Sequence, residues 1–413
     1  MDTTERKRQF GAYLARLRRD AKLSQRQLAD RLCLVSGTAS VTRNEVSRWE
    51  RGERVPGAWL PALATVLGAR LETLEAAAAY ARGDAAGRLP GAFATLAQLL
   101  PPGDPLERGD GQGRRIGAST VAALAGRVHG LRLADDVLAG GDLIDRAFRD
   151  LSGAVRLHRD SSYDEPTGTA LLVQIGELAQ ITGWIASDAG EHDQAEQAYR
   201  LGISAARQAG DGALVANLAG SLAYQLSNTG RELEGVDLAE AAVTEAGPDA
   251  PAQTRALFFD RVAWAHAKAG RTHAQGAMRA LGEAHDALSA DGGPEAPDWA
   301  YWVSRDELEV MDARVFTELR RPLRAVPLLS RVLDRYDATH ARELALYLSW
   351  LAVAYADANE PEEAAATAQR MFDLSADVAS DRTSERARVV LRRLADYDDV
   401  PEVRSVLAEH PVA

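Results

Sequence analysis

Cysteine and lysine are nearly missing from this chain, and so are long apolar runs. Cys33 stands alone among 413 residues, which excludes an internal disulfide and any metal site built from several cysteines. Its place near a helix end reads as packing rather than redox chemistry. Only Lys7, Lys22 and Lys268 are lysine, so the positive charge is almost wholly arginine. With so much alanine and glycine, this composition suggests a GC-rich bacterial genome. No stretch supplies the roughly eighteen apolar residues of a membrane-spanning helix. Nor does the N-terminus, Met1 to Arg8, lead into the apolar segment of a signal peptide. The expectation is a cytoplasmic protein with no membrane partner.

Catalytic patterns are equally scarce. The eight histidines, His129, His158, His192, His266, His273, His285, His340 and His410, are scattered and form no His-Glu-x-x-His or similar ligand spacing. His266 and His273 lie two helical turns apart, but Gly270 falls between them and breaks the helix. There is no Gly-x-Ser-x-Gly and no nucleotide loop. The expectation is a binding protein rather than an enzyme, with no cofactor and no metal.

What is present is length, helix and a divided charge. A chain of 413 residues is too long for one compact unit. Hydrophobic content of 46% and charged content of 26% are those of an ordinary globular protein. The net charge is −12, yet residues 1–60 carry +6 and the remainder −18. A basic head on an acidic body is expected when one end meets phosphate and the rest must stay clear of it.

In the head, Phe10, Tyr13, Leu14 and Leu17 recur at helical spacing over 6–21, with Arg16, Arg18 and Arg19 on the other side. Ser24 with Gln27 makes a capping box that opens a second helix, Gln25 to Leu32. Thr42 with Glu45 makes another, opening a third helix that Gly52 ends. Pro56 restarts the chain into Trp59–Leu67, and a fifth helix is expected from Leu71 to Ala81. These residues, Leu23-Ser24-Gln25-x-Gln27-Leu28-Ala29 and Val46-Ser47-Arg48-Trp49-Glu50-Arg51-Gly52-Glu53-Arg54-Val55-Pro56, resemble the phage-repressor-like (Cro/xenobiotic-response-element) helix-turn-helix domains. The resemblance covers roughly residues 8–75. One departure is the turn between the second and third helices, nine residues from Cys33 to Val41, where the family has three or four.

The third helix carries the chemistry. A helix fits the major groove, and its first turn reaches base edges. Arg43, Asn44, Ser47 and Arg48 share one face, while Val46 and Trp49 face the core. Arginine can donate two bonds to guanine, and asparagine can pair with adenine. Ser24, Gln25, Thr42 and Arg51 are better placed for phosphates. The bland reading, a solvated charged face, loses weight inside this motif and beside the +6 charge.

Residues 82–117 are of another kind: Pro101-Pro102-Gly103-Asp104-Pro105 and Gly109-Asp110-Gly111-Gln112-Gly113 flank or follow one short apolar piece, Phe93 to Leu100. They read as a flexible linker with one short docking helix. From 118 to 413 the chain is helical and repeats. Gly190, Gly230 and Gly270 are forty residues apart, each preceded at a fixed distance by a small residue (Gly183, Ala223, Ala263) and followed by another (Gly202, Ala242, Gly282). Small residues let successive helices approach and the glycines make the turns, a pattern that resembles the tetratricopeptide repeat. Further helix pairs are expected at 119–159, 299–336, 342–378 and 383–409, with Pro327 and Pro361 near helix starts, six or seven pairs in all. The fold class is therefore all-α: a helix-turn-helix domain over 1–81, the linker, and a tetratricopeptide-like α-solenoid.

A solenoid has an inner groove, lined in this frame by the first helix of each pair. Six residues before the glycines stand Trp184, Tyr224 and Trp264, flanked by Glu177, Gln180, Asn217, Asn228, Asp260 and Lys268. Such a ladder is either packing between repeats or a ligand surface in which amides take backbone bonds and rings take side chains. As a whole the chain is similar to actinobacterial helix-turn-helix regulators with tetratricopeptide bodies and, in domain order alone, to the peptide-pheromone receptors of Gram-positive bacteria. The resemblance implies a transcription regulator: double-stranded DNA as partner, a homodimer, and a peptide or small-molecule signal in the groove. The alternative is an adaptor whose body sequesters a protein partner, with DNA binding secondary.

Overall fold

A computed structural model describes residues 3–38, 40–69, 71–84, 96–100, 106–109, 113–138, 140–290, 293–335, 341–375 and 381–410. His340 and most of the expected linker, including Phe93 and Pro101–Pro105, lie outside them. Two compact units divide the chain, Met1–Leu99 and Leu100–Ala413. Among the described residues every regular element is a helix; the sole β-type pairing is one isolated bridge, between Arg115 and Ser162. The chain is all-α, a helix-turn-helix head followed by a helical-repeat body.

Five helices make the head: α1 (Thr3–Asp20), α2 (Gln25–Ser36), α3 (Arg43–Glu50), α4 (Leu60–Leu67) and α5 (Leu71–Arg82). Their apolar stripes meet in one core in which Phe10, Leu14, Leu28, Val46, Leu63 and Leu74 are fully enclosed. Trp49, on α3, is likewise buried. The expected Ser24 capping box is complete: Ser24 Oγ accepts from the Gln27 N–H at 3.2 Å, and the Ser24 N–H donates to Gln27 Oε1 at 2.8 Å. The Thr42 box is only half formed. Thr42 Oγ1 accepts from the Glu45 N–H at 3.4 Å, but the Glu45 carboxylate turns to Arg48 instead.

The long turn is shorter than expected, because α2 continues a full turn beyond Leu32 before Gly37 stops it in the left-handed conformation, φ 68°. The connection to α3 is then Gly37–Thr42. Ser36 Oγ donates to Leu32 O at 2.7 Å, and the hydroxyls of Ser36, Thr38 and Ser40 form a chain at 3.1 Å per step. Two glycines let α1 lie directly on the end of α3. A Cβ on Gly11 would come within 2.4 Å of the Glu50 carbonyl, and one on Gly52 (φ 72°) within 2.5 Å of the Lys7 carbonyl.

After a four-residue helix, α6 (Leu96–Leu99), the body runs as seven pairs: α7 (Ala118–Val137) with α8 (Gly140–Asp160), α9 (Glu165–Asp188) with α10 (His192–Ala209), α11 (Gly212–Asn228) with α12 (Glu232–Ala246), α13 (Ala252–Lys268) with α14 (Ala274–Ser289), α15 (Arg305–Glu318) with α16 (Pro322–Arg335), α17 (Ala341–Asp357) with α18 (Pro361–Ser375), and α19 (Asp381–Leu394) with α20 (Pro401–Glu409). The first helices of successive pairs, α7, α9, α11, α13, α15, α17 and α19, pack side by side in that order. That is the nearest-neighbour stacking of a helical-repeat protein. Gly190, Gly230 and Gly270 turn within their pairs at φ 81°, 84° and 94°. Arg320 (φ 55°) and Asn359 (φ 64°) hold the equivalent turns of the next two pairs.

The small residues act as expected at two places. A Cβ on Gly183 would strike the Tyr199 ring at 2.6 Å, and one on Gly202 would meet Leu218 at 2.7 Å. Gly282 is different: nothing lies within 4 Å of such a Cβ, so no close packing explains it. Pro361 begins α18, whereas Pro327 sits inside α16, whose first residue is Pro322. The end of the expected linker belongs to the body. Gly109 N–H donates to Arg159 O at 2.9 Å, Ser162 N–H to Arg114 O at 3.1 Å, and Ile116 N–H to Ser162 O at 3.0 Å. A Cβ on Gly113 would sit 1.5 Å from the Asp160 carbonyl. These glycines serve close backbone approach.

Candidate functional site

The head presents α3 through two devices. One is the apolar anchor of Val46 and Trp49, which fixes the opposite face outward. The other is a polar hub: Glu50, almost buried, accepts from Arg18 Nε at 2.6 Å, Arg18 Nη2 at 3.1 Å and Gln25 Nε2 at 2.7 Å. Arg18 Nη1 donates onward to Leu23 O at 2.7 Å. Three helices are thereby tied at one carboxylate whose lone pairs are well used, the condition under which a buried ion pair holds. Arg18, expected on the solvent side of α1, belongs to this hub.

On the outward face Thr42, Arg43, Asn44 and Arg48 are exposed and Ser47 is half-buried. Arg43 and Asn44, in the first turn, make no side-chain hydrogen bond among the described residues. Arg48 is engaged by two carboxylates, Glu45 at 3.1 Å and Glu53 at 3.4 Å. Arg51 pairs with Glu53 at 2.9 Å and remains 62% exposed. Of the residues expected at phosphates, Ser24 and Thr42 are exposed at helix starts while Gln25 is half-buried in the hub.

In the body the aromatic ladder is real and largely internal. Trp184 and Tyr224 have ring centroids 5.5 Å apart, Tyr224 and Trp264 5.7 Å apart, and Trp264 meets Trp350 edge-on at 5.5 Å. Guanidinium groups interleave: Arg261 lies 4.6 Å from the Tyr224 centroid, Arg314 4.6 Å from that of Trp264, and Arg386 3.5 Å from that of Trp350. Cations over ring faces in a desolvated setting are each favourable by about 1–2 kcal/mol. The burial also has an electrostatic cost. It pushes Arg386 down to about 10 and the Asp260 carboxyl up to about 6, against the pull of Arg261 and Arg314.

Beside the ladder is a cavity of about 320 Å³, at the lower end of small-ligand pockets. Four of the nine expected groove residues line it: Gln180, Trp184, Asn217 and Tyr224. The other five are placed elsewhere. Glu177 is the ion-pair partner of Arg132 at 2.8 Å. Asn228 Nδ2 donates to the Tyr224 carbonyl at 2.8 Å. Asp260 and Trp264 are buried behind the wall, and Lys268 pairs with Glu318 at 3.8 Å. Ile181, Leu257 and Arg261 join those four from the same groove helices, and much of the rest of the wall comes from outside the forty-residue frame: Arg132 on α7, the Trp299–Trp302 segment, Glu307 and Arg314 on α15, and Glu343 and Tyr347 on α17. The Tyr301 hydroxyl donates to Asp136 Oδ2 of α7 at 2.6 Å, fastening that segment across the groove.

Histidine placement brings one correction. Gly270 does break the helix between His266 and His273, yet the short turn that follows folds back, leaving their Nδ1 atoms 3.2 Å apart. Glu240 stands 3.3 Å from His266 Nε2. No group of three or more His, Cys, Asp or Glu able to hold a metal occurs among the described residues, and none of their helices is long and apolar enough to cross a membrane.

Comparison with known proteins agrees with the head. A family model described as a helix-turn-helix domain matches residues 9–78. No curated protein matches the chain. The chain thus carries a helix-turn-helix domain of the DNA-binding type at its N-terminus, joined to a helical-repeat body.

Proposed function

We propose that this protein is a cytoplasmic, sequence-specific DNA-binding transcription regulator whose tetratricopeptide-like body pairs two copies and senses a peptide or small-molecule signal. The observation that carries the first part is the exposed first turn of α3, with Arg43 and Asn44 uncommitted on a helix anchored by Val46 and Trp49. Arg43, Asn44, Ser47 and Arg48 read bases, with Arg43 and Asn44 leading, because Arg48 must first leave Glu45 and Glu53. Ser24, Thr42 and Arg51 meet phosphates. Gln25 contributes chiefly by holding the end of α3.

Sensing is supported by the size of the cavity. Rings and guanidinium groups fill much of the inner groove, and what stays open suits a small ligand better than a protein segment, which favours a sensor over a sequestering adaptor. The role is binding, without catalysis. A salt titration of DNA affinity with the full chain tests the reading. A steep fall in affinity with salt, and its large loss in the Arg43→Ala/Asn44→Ala variant, are expected. Salt-insensitive or undetectable DNA binding by the folded wild-type chain would overturn it.

A further inference from the structure

Glu307 and Trp302 stand out on the cavity wall by how little they bind. The Glu307 carboxylate has a single side-chain partner among the described residues, the neutral Tyr347 hydroxyl, 3.1 Å and 3.2 Å from its two oxygens. The guanidinium groups of the wall are held elsewhere. Arg132 pairs with Glu177 at 2.8 Å. Arg261 lies over the Tyr224 ring beside the Asp260 charge. Arg314 donates to the Tyr224 hydroxyl at 2.5 Å and lies over the Trp264 ring. Trp302 is half-buried, and its indole has no hydrogen bond, ring contact or cation among the described residues. An indole face and a carboxylate both attract positive charge, the one through its quadrupole and the other through a full charge. The field around them has the matching sign. Asp135, Asp136 and Glu343 share the wall with Glu307, four carboxylates against three guanidinium groups, and Arg132 and Arg261 are balanced from behind by Glu177 and Asp260. Glu343 has interactions of its own and contributes to the field rather than to a contact. Burial and Glu343 push Glu307 up to about 7; Asp260 adds to the push, while the Tyr347 bond and Arg314 oppose it. Leu257, Met311 and Leu346 add apolar surface.

We propose that the cavity binds a small organic cation, its charged nitrogen against the Glu307 carboxylate and the Trp302 ring and its apolar body among Leu257, Met311 and Leu346. One positive charge meets the needs of both side chains at once. A carboxylate of the same shape would face the like charge of Glu307, and a neutral molecule would gain the apolar contacts alone. Alkylamines and quaternary ammonium compounds share this chemistry. They differ in that an alkylammonium N–H can donate to the carboxylate, whereas a quaternary nitrogen relies on the ring and the field. The inference deepens the reading of the body as a sensor and rests on it only for its biological use; the binding itself is independent of DNA.

Calorimetric titration of the full chain tests it with two series of probes, each of one shape and three charges: phenethylamine, phenethyl alcohol and phenylacetate, and butylamine, butanol and butyrate. In at least one series the amine is expected to bind at one per chain and at least about tenfold tighter than the alcohol, or 1.4 kcal/mol, with the carboxylate weaker still. Choline compared with butylamine tells which kind of cation fits. Amine affinity should rise as the pH increases through about 7, where Glu307 ionises, while that of the alcohol stays level. In Glu307→Gln the preference for amine over alcohol should vanish with alcohol binding kept, and Trp302→Leu should weaken the amines and choline. The charge series needs no variant, so a misfolded variant leaves the proposal exposed to refutation. Equal binding of amine and alcohol, a preference for the carboxylate, or no cation bound at millimolar concentration overturns it. If an amine binds but leaves DNA affinity unchanged, the cavity assignment stands and the sensor reading falls.

Discussion

At the scale of residues, the two candidate sites differ in how their side chains were recognisable. Arg43, Asn44 and Arg48 follow from a cap, a helix period and a local motif, all of which are short-range. Arg132, Glu307 and Arg314 come together only through the stacking of α7 to α15 and the Trp299–Trp302 segment, which no local spacing encodes. Arg261 stands next to Asp260 in the repeat frame, but its role as the cation between Trp184 and Tyr224 depends on a neighbouring helix. Arg43→Ala is expected to cost about 1–3 kcal/mol in DNA affinity and to relax one base position. Arg51→Ala should weaken all sequences evenly and flatten the salt slope. Binding to a set of single-base operator variants distinguishes the two, and equal, sequence-independent losses would remove Arg43 from the reading face.

Glu307 also makes a pH prediction. Its folded pKa of about 7 lies above the ordinary 4.5, so the fold favours the protonated acid. The stability that this preference contributes is present in acid and is lost as the pH rises from about 4.5 through about 7. Glu307→Gln keeps an acceptor for Tyr347 and cannot ionise. It should therefore be more stable than wild type by roughly 3 kcal/mol above pH 7, and this advantage should shrink toward pH 4.5. Denaturant melts across that range check it; a constant difference between the two proteins would contradict the assigned environment.

At the scale of elements, the five head helices are where their periodicity and caps place them, and the differences have local causes. The second helix overruns Leu32 because nothing before Gly37 stops it. The body repeat fades after Gly270 because Arg320 and Asn359 occupy the left-handed turns that glycine holds earlier, and because 290–304 lengthens the interval between pairs. Asparagine takes that conformation readily, arginine less so. The close approach at Gly11 had no sequence signal, since a helix-interior glycine looks like an ordinary weak point. Gly11→Ala should destabilise the head by about 2–3 kcal/mol through displacement of α3, with DNA binding lost before the body melts. Hydrogen exchange of α3 against that of α9 checks this, and an unchanged α3 would mean the helices yield more easily than their contact suggests.

At the scale of the whole molecule, the division of charge is the observation that organises everything else: a basic helix-turn-helix head and an acidic repeat body. One head covers a half-site, so two copies with heads about 34–36 Å apart would read a near-palindrome. A ligand in the body shifts that arrangement only if it binds two spacings unequally. Pairing predicts a solution mass near twice 44.4 kDa, retained in Trp184→Ala. Trp264→Ala, which empties a buried place in the ladder, should cost about 3–5 kcal/mol of stability. A monomeric wild-type mass by light scattering at micromolar concentration would dismiss the dimer. The most direct test of the central claim is genome-wide mapping of the sites bound by the full-length protein in its own cells. Sequence-specific reading by α3 predicts one recurrent, near-palindromic sequence whose enrichment collapses in Arg43→Ala/Asn44→Ala. Bound sites without a shared sequence, or a map unchanged by those substitutions, would contradict it.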